Sequence, residues 1–304
     1  TPVAIIDSGD RIIAVLVGRP TDEQEVKRPV EKRWMSSTER LAIKIEQARV
    51  KEGRVFRTGN RRRGDFAAES FGISYGGGQV VPGRLVQSDD LGAMCDEFRE
   101  DEDLMRVAGL QSNSLASYFP KPYADAREAM DELFESRPDL THNFTTSVYP
   151  TATINFGPCT VCLPHKDSLN YPGIACAITA LGGFDPDKGG QLVFYDLGLM
   201  VRFPPGSTIL LSSAALRHGN LPIQAGDHRY SFTQYFPGGL FRWVRHGLRP
   251  ASSLSKSERA DIDGEAEEGL QRQLDRLSQF DELEKDRQWL LEREAAWAKR
   301  ASGA

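Results

Sequence analysis

The sequence predicts an α+β protein: a double-stranded β-helix, or jelly roll, braced by helices and followed by a long C-terminal helix. Three observations predict it. From Asn143 to Phe236, short β-branched and aromatic runs alternate with turn residues. Two amphipathic helical stretches come before them, and a charged tail with spaced leucines comes after. Strands that follow helices in this way pack as a jelly roll with helices on one face.

Each element has its own warrant. The first twenty residues alternate apolar runs with turns, AII and then RIIAVLVG, as a strand or hairpin does. Ser36-Ser37-Thr38-Glu39 opens a helical pattern reaching about Lys51, with a cap expected at Ser36 or Ser37. RVFRTGNRRRGDF is polar and aperiodic, hence a loop. FGISYGGGQVVPGR (71–84) is a Gly-rich connection. Residues 90–108 and 121–136 space their apolar side chains by three and four, the mark of helices. The strand candidates are TSVYPTATINF, TVCLPHKD, IACAITAL, QLVFYDL, LMVRF, TILLSS, LPIQ and RYSFTQYF, with tight turns at DPDKGG and PPG. LFRWVRHGL (240–248) reads as a short helix. From about Glu265 to Lys299 the chain reads as helix, charged and carrying Leu270, Leu274, Leu277, Leu283 and Leu290 on one stripe. The expected organisation is N-terminal strands, basic loop and supporting helices over 1–142, the jelly-roll core over 143–250, and a helical extension over 251–304.

Composition bounds the function. With 304 residues and 39% hydrophobic content, the chain can bury one sizeable core. No apolar run approaches the roughly 20 residues that span a bilayer, so no membrane partner is expected. The opening TPVAIIDSGDRI shows no signal-peptide pattern and no initiator Met, and further sequence upstream is expected. Four cysteines, Cys95, Cys159, Cys162 and Cys176, suggest a reducing compartment. Cys159-x-x-Cys162 lacks the second pair a zinc site needs and reads as two strand residues. The net charge of −5 argues against a general nucleic-acid binder, yet residues 26–63 are rich in Lys and Arg.

The chemistry centres on His165-Lys166-Asp167. On a strand, residues two apart point to one side, so both side chains can reach one ion. His218 follows several strands later, and a jelly roll can fold it back beside them. Two imidazoles and a carboxylate on one face of an octahedral ion leave three positions open, which an oxygenase needs for a chelating cosubstrate and O2. Arg229 and Ser231 are again two apart on a late strand. Arg pairs with a carboxylate as a planar fork and Ser adds a hydroxyl donor, which together suit a dicarboxylate whose other end reaches the metal. His142, His228 and His246 lack ligand spacing and read as surface or packing residues.

The run HKD…GGQLVFYDL…FPPGSTILL…RHGN…DHRYSFTQY resembles the core of the Fe(II)/2-oxoglutarate dioxygenase superfamily over roughly residues 143–243. A narrower resemblance is to its TET/JBP branch, particularly the TET-like proteins of basidiomycete fungi. INFGP, the extended His165-x-Asp167-x-x-Asn170, SFTQYFPGGLFRWV, ISYGGGQ and RRRGDF carry it. The resemblance implies oxidation of 5-methylcytosine in DNA to 5-hydroxymethylcytosine and further, with Fe(II), 2-oxoglutarate and O2. It implies double-stranded DNA with a flipped methylated base as partner, and a nuclear location. It also implies that Asn170 reads the flipped base and that Asn155 touches the cosubstrate. The cysteine-rich region of animal TET enzymes is absent, as in the compact relatives. Arg57, Arg61, Arg62 and Arg63 are the phosphate-contact candidates, and Tyr75 with Gly76, Gly77 and Gly78 the wall beside an extruded base. Alternatives are an N6-methyladenine demethylase, an RNA or protein hydroxylase, and a non-catalytic DNA-binding module.

Overall fold

The computed structural model describes residues 2–21, 23–53 and 63–301. Its elements, in order, are β1 (Val3–Ile6), β2 (Ile12–Gly18), α1 (Glu23–Lys27), α2 (Trp34–Lys51), β3 (Ala67–Ser74) and β4 (Gly83–Arg84). Then come α3 (Asp89–Glu100), α4 (Glu102–Tyr118), α5 (Pro120–Ser136), β5 (Thr151–Gly157), β6 (Cys176–Gly183), β7 (Leu192–Phe194) and β8 (Leu199–Val201). The chain finishes with β9 (Thr208–Leu211), β10 (His218–Asn220), β11 (His228–Tyr235), α6 (Gly238–Arg245), α7 (Lys256–Asp263), α8 (Ala266–Leu274) and α9 (Leu283–Ala301). No helix among the described residues is long and apolar enough to cross a membrane.

The strands make two antiparallel sheets, as a jelly roll requires. The larger runs β1-β2-β9-β6-β11-β5-β3-β4 and the smaller β10-β7-β8. The larger sheet therefore takes strands from both sides of residue 142. Along β11 the pleat separates two environments. Tyr230 and Phe232 join Ile154, Phe156 and residues of α2, α3 and α4 in one core cluster. Arg229 points the other way, over Phe184 and Phe203 of a second cluster between the sheets. Burying each such Phe contributes roughly 1.5–3 kcal/mol.

Three expectations change for identifiable reasons. Helix α2 starts at Trp34 rather than at a serine cap, because the Glu25 carboxylate accepts the Trp34 N–H and Trp34 Nε1 donates to Gly206 O at 2.8 Å. Ser36 Oγ bonds Val30 O at 2.7 Å instead. The stretch 90–108 is two helices, broken at Asp101, whose side chain accepts from Leu104 N–H at 2.9 Å and so starts α4. The tail is also two helices, because residues 275–282 are held by the β1–β2 hairpin. Ile12 N–H donates to Ser278 O at 3.0 Å and Phe280 N–H to Asp10 O at 2.9 Å.

Two strand candidates form no strand. TVCLPHKD makes only one isolated bridge, His165 to His218, and LPIQ makes none. Pro158, Pro164 and Pro222 lack the N–H that a continuous ladder needs. The strand in that region is instead β10, which begins on His218.

Candidate functional site

His165 is held at a single point. Its N–H donates to His218 O and the His218 N–H donates back, both at 3.0 Å. Asp167 N–H donates to Ser213 O at 2.9 Å, just past β9. These three backbone bonds set two histidines and an aspartate side by side without a strand through His165-x-Asp167. The ligand atoms of His165, Asp167 and His218 all lie within 4.8 Å of one another.

Each imidazole is oriented by its other nitrogen. His165 Nδ1 lies 2.7 Å from Leu163 O and His218 Nδ1 lies 2.9 Å from Leu216 O. A carbonyl oxygen only accepts, so both Nδ1 atoms carry the proton and both Nε2 atoms keep a lone pair for an ion. Burial, reinforced by the neighbouring His165, lowers the pKa of His218 and favours this neutral form. Asp167 Oδ1 faces His165 Nε2 at 3.6 Å. Arg63 Nη2 also stands 2.6 Å from that oxygen, but without hydrogen-bond geometry, so this buried acceptor has an ionic neighbour and no donor. Two held imidazoles and an undonated carboxylate oxygen fit a divalent cation, and the ligand set is the one that holds non-haem Fe(II) with positions left open.

Arg229 supplies the opposite charge requirement. It is 2% exposed, and no carboxylate among the described residues pairs with it. Nη1 donates to Thr160 O at 3.2 Å, and Nε has no partner. Phe184 and Phe203 lie within 5.9 and 6.0 Å of the guanidinium carbon. Burial lowers its pKa, yet a guanidinium stays charged near neutrality. An unpaired buried charge is strongly unfavourable, so this pocket suits an anion. Ser231 sits on the same strand face, opposite Asn155 in the β5–β11 register. Asn155 Nδ2 donates to Ser231 Oγ at 2.8 Å, which leaves the hydroxyl proton to point elsewhere. These residues fit a cosubstrate with a carboxylate at its far end.

Asn170 sits in the turn closed by its own N–H on Asp167 O at 2.9 Å. Its amide nitrogen faces inward, 3.2 Å from both Cys176 Sγ and Ser213 Oγ. Beside it Leu169 is 85% exposed. The Tyr75 ring packs edge-on against Trp243 at 4.7 Å. Gly76, Gly77 and Gly78 all have positive φ and open space where a Cβ would lie. Both loops converge on Gly238-Gly239 at the start of α6: Leu169 O accepts from Gly238 N–H at 2.8 Å. A Cβ on Gly239 would stand 2.1 Å from Tyr75 O.

Arg57, Arg61 and Arg62 lie outside the described residues. Arg63, a phosphate-contact candidate by sequence, has its guanidinium on Asp167, and its carbonyl accepts from Leu163 N–H at 2.7 Å. Nothing local in RRRGDF signals this, since the contact joins segments about a hundred residues apart. Thr160, Phe184 and Phe203, which surround Arg229, carried no sequence signal either.

NgTET1, solved in complex with 5mC DNA, aligns with this structure at a TM-score of 0.54 and 15% identity, over 79% of this chain and 77% of that one. The chain shares the fold of NgTET1. That likeness agrees with the TET-type resemblance carried by the motifs, and at this identity it speaks for the fold. Prolyl-4-hydroxylase from Pseudomonas putida overlaps less, at TM-score 0.33 and 18% identity over 66% of this chain and 86% of that one. A 2OG-Fe(II) oxygenase-family oxidoreductase from Burkholderia pseudomallei gives 0.31 and 17%, over 58% and 70%. No protein-family model and no curated protein matches the sequence.

Proposed function

We propose that the chain is an Fe(II)- and 2-oxoglutarate-dependent dioxygenase that oxidises the methyl group of 5-methylcytosine in DNA. The observation that carries this reading is the pairing of a cation-ready His165–Asp167–His218 cluster with a buried, unpaired Arg229 in one jelly-roll interior. The fold shared with NgTET1 and the extended His165-x-Asp167-x-x-Asn170 support the DNA base as substrate.

His165, Asp167 and His218 would hold the metal, and Arg229 with Ser231 and Asn155 the far carboxylate of 2-oxoglutarate. Fe(II) with 2-oxoglutarate and O2 supplies the oxidising power for a methyl C–H bond. The remaining work is done by this chain. The aromatic rings around Arg229 keep water from the anchor, and Nδ1–carbonyl bonds hold both imidazoles. A methyl inside a duplex is out of reach of so recessed a centre, so the base is flipped out, at a cost of a few kcal/mol. Asn170, Tyr75 and Gly76-Gly77-Gly78 lie in the two loops that would line the extruded base. The Lys- and Arg-rich run over 26–63, including Arg57, Arg61 and Arg62, supports phosphate contact by its charge. A DNA substrate implies a nuclear site of action.

The deciding experiment is mass spectrometry of nucleosides from methylated duplexes incubated with protein, Fe(II), ascorbate and 2-oxoglutarate. The expected products are 5-hydroxymethylcytosine first, then formyl and carboxyl forms, with one succinate released per oxidation. Loss of N6-methyladenine with formaldehyde would move the substrate and keep the chemistry. DNA binding without succinate release would make the chain a binding module.

A further inference from the structure

We infer that Thr160 is a cosubstrate-binding residue whose hydroxyl is a further donor, beside Arg229 and Ser231, for the far carboxylate of a 2-oxo dicarboxylic acid. This rests on the dioxygenase reading and adds to it a residue that no motif marks.

Thr160 lies alongside the start of β11. Its N–H donates to Arg229 O at 3.1 Å, and the Arg229 N–H donates to Pro158 O at 2.7 Å. Its carbonyl accepts from Arg229 Nη1 at 3.2 Å and from Asn220 Nδ2 at 3.0 Å. Every backbone polar group of Thr160 is therefore used. Its hydroxyl is not: Oγ1 is buried without a partner, in a residue with no exposed surface. Buried hydroxyls are rarely left so. Arg229 Nε is bare in the same way, on the residue to which Thr160 is bonded.

Two bare polar groups on bonded neighbours point to one shared ligand. Phe184 and Phe203 lie against the guanidinium, which leaves the bare Nε edge for an incoming group. A carboxylate matches what is missing. One oxygen accepts from Nε–H, the other accepts from the Thr160 hydroxyl, and its charge neutralises Arg229. Cys162, two residues on, supports the direction. Its carbonyl accepts from Asn220 N–H at 3.0 Å, against β10, the strand that begins on the metal ligand His218. The segment 160–162 thus lines the way from the anchor to the metal centre, where the 2-oxo acid end belongs.

The test is calorimetric titration of Mn(II)-loaded protein with 2-oxoglutarate and, separately, with oxalate, which chelates a metal but has no far carboxylate. Wild type, Thr160→Val and Thr160→Ser are compared. Val keeps the shape and removes the hydroxyl; Ser restores it. The expected result is 2-oxoglutarate binding weakened roughly tenfold or more in Thr160→Val and recovered in Thr160→Ser. Oxalate and Mn(II) affinity should match wild type, and the melting temperature should not fall. Unchanged 2-oxoglutarate binding in Thr160→Val overturns the inference. So does an equal loss of oxalate and 2-oxoglutarate, which would make the hydroxyl a support of the fold or the metal end. Wild type that binds oxalate but not 2-oxoglutarate removes the dioxygenase reading, and this inference with it.

Discussion

The two faces of the sheet around β11 solve the same problem in opposite ways. On the helix face, buried polar side chains are paired with one another. Gln234 Nε2 donates to Ala108 O and Gln111 Oε1 at 3.1 and 3.0 Å, while its Oε1 accepts from Ser147 Oγ at 2.8 Å. Gln111 Nε2 continues the chain to Thr179 Oγ1 at 2.8 Å, which meets Thr208 Oγ1 at 2.7 Å. On the inner face, Arg229 Nε, Thr160 Oγ1 and Asp167 Oδ1 are buried without hydrogen-bond partners. Other atoms without partners occur on Arg84, Arg99 and Asn143. Among the described residues, the inner-face set brings together a guanidinium N–H, a hydroxyl and a carboxylate oxygen without hydrogen-bond partners, the last of them beside Arg63. The difference teaches where stability was given up. Satisfied networks hold α4 to the sheet, whereas unsatisfied groups cost stability unless a ligand completes them.

The contrast can be broken most sharply at the metal ligand. Asp167→Ala should lose Mn(II) binding in calorimetry and reduce succinate formation to background, with circular dichroism unchanged. Retained turnover would remove the site. Next, Arg229→Met should weaken 2-oxoglutarate binding roughly 100-fold. The same change should raise unfolding free energy by about 1 kcal/mol, because an unpaired buried charge gives way to packing between Phe184 and Phe203. A fall in stability would show that Arg229 serves the fold.

The helix face should answer in reverse. Gln234→Ala strands partners on Ala108, Gln111 and Ser147, and should cost about 2–3 kcal/mol in urea unfolding while 2-oxoglutarate affinity stays at the wild-type value. The smallest effect is expected in the exposed loop. Gly77 has φ +58, so Gly77→Ala strains that residue locally by about 1 kcal/mol. It should lower turnover on methylated DNA a few-fold and leave Mn(II) and 2-oxoglutarate binding alone. A change in either affinity would place the loop in the metal centre rather than at its rim.

Much of the candidate site was legible because its signals are local. Arg229 and Ser231 share a side through the two-residue repeat of a strand, and the distal His218 carries its ligand chemistry in its residue type. The helix over 121–136 was legible from periodicity and became α5; the short helix read at 240–248 became α6, shifted to Gly238–Arg245. What was not legible depends on distant partners. Trp34 opens α2 because Glu25 and Gly206 hold it. The tail breaks at 275–282 because the β1–β2 hairpin takes its backbone. His165-x-Asp167 needed no strand, only backbone bonds to His218 and Ser213.

By itself the sequence determined the kinds of groups available and the side of each strand they occupy, since the pleat of a strand is a property of the local backbone. The tertiary structure alone decided which of them meet. It set Arg63 on Asp167 rather than among free cations, laid Thr160 beside Arg229, and enclosed that arginine between Phe184 and Phe203. Such contacts follow from closing loops over long stretches of chain. Their energy comes from burying many side chains at once, which no short pattern records.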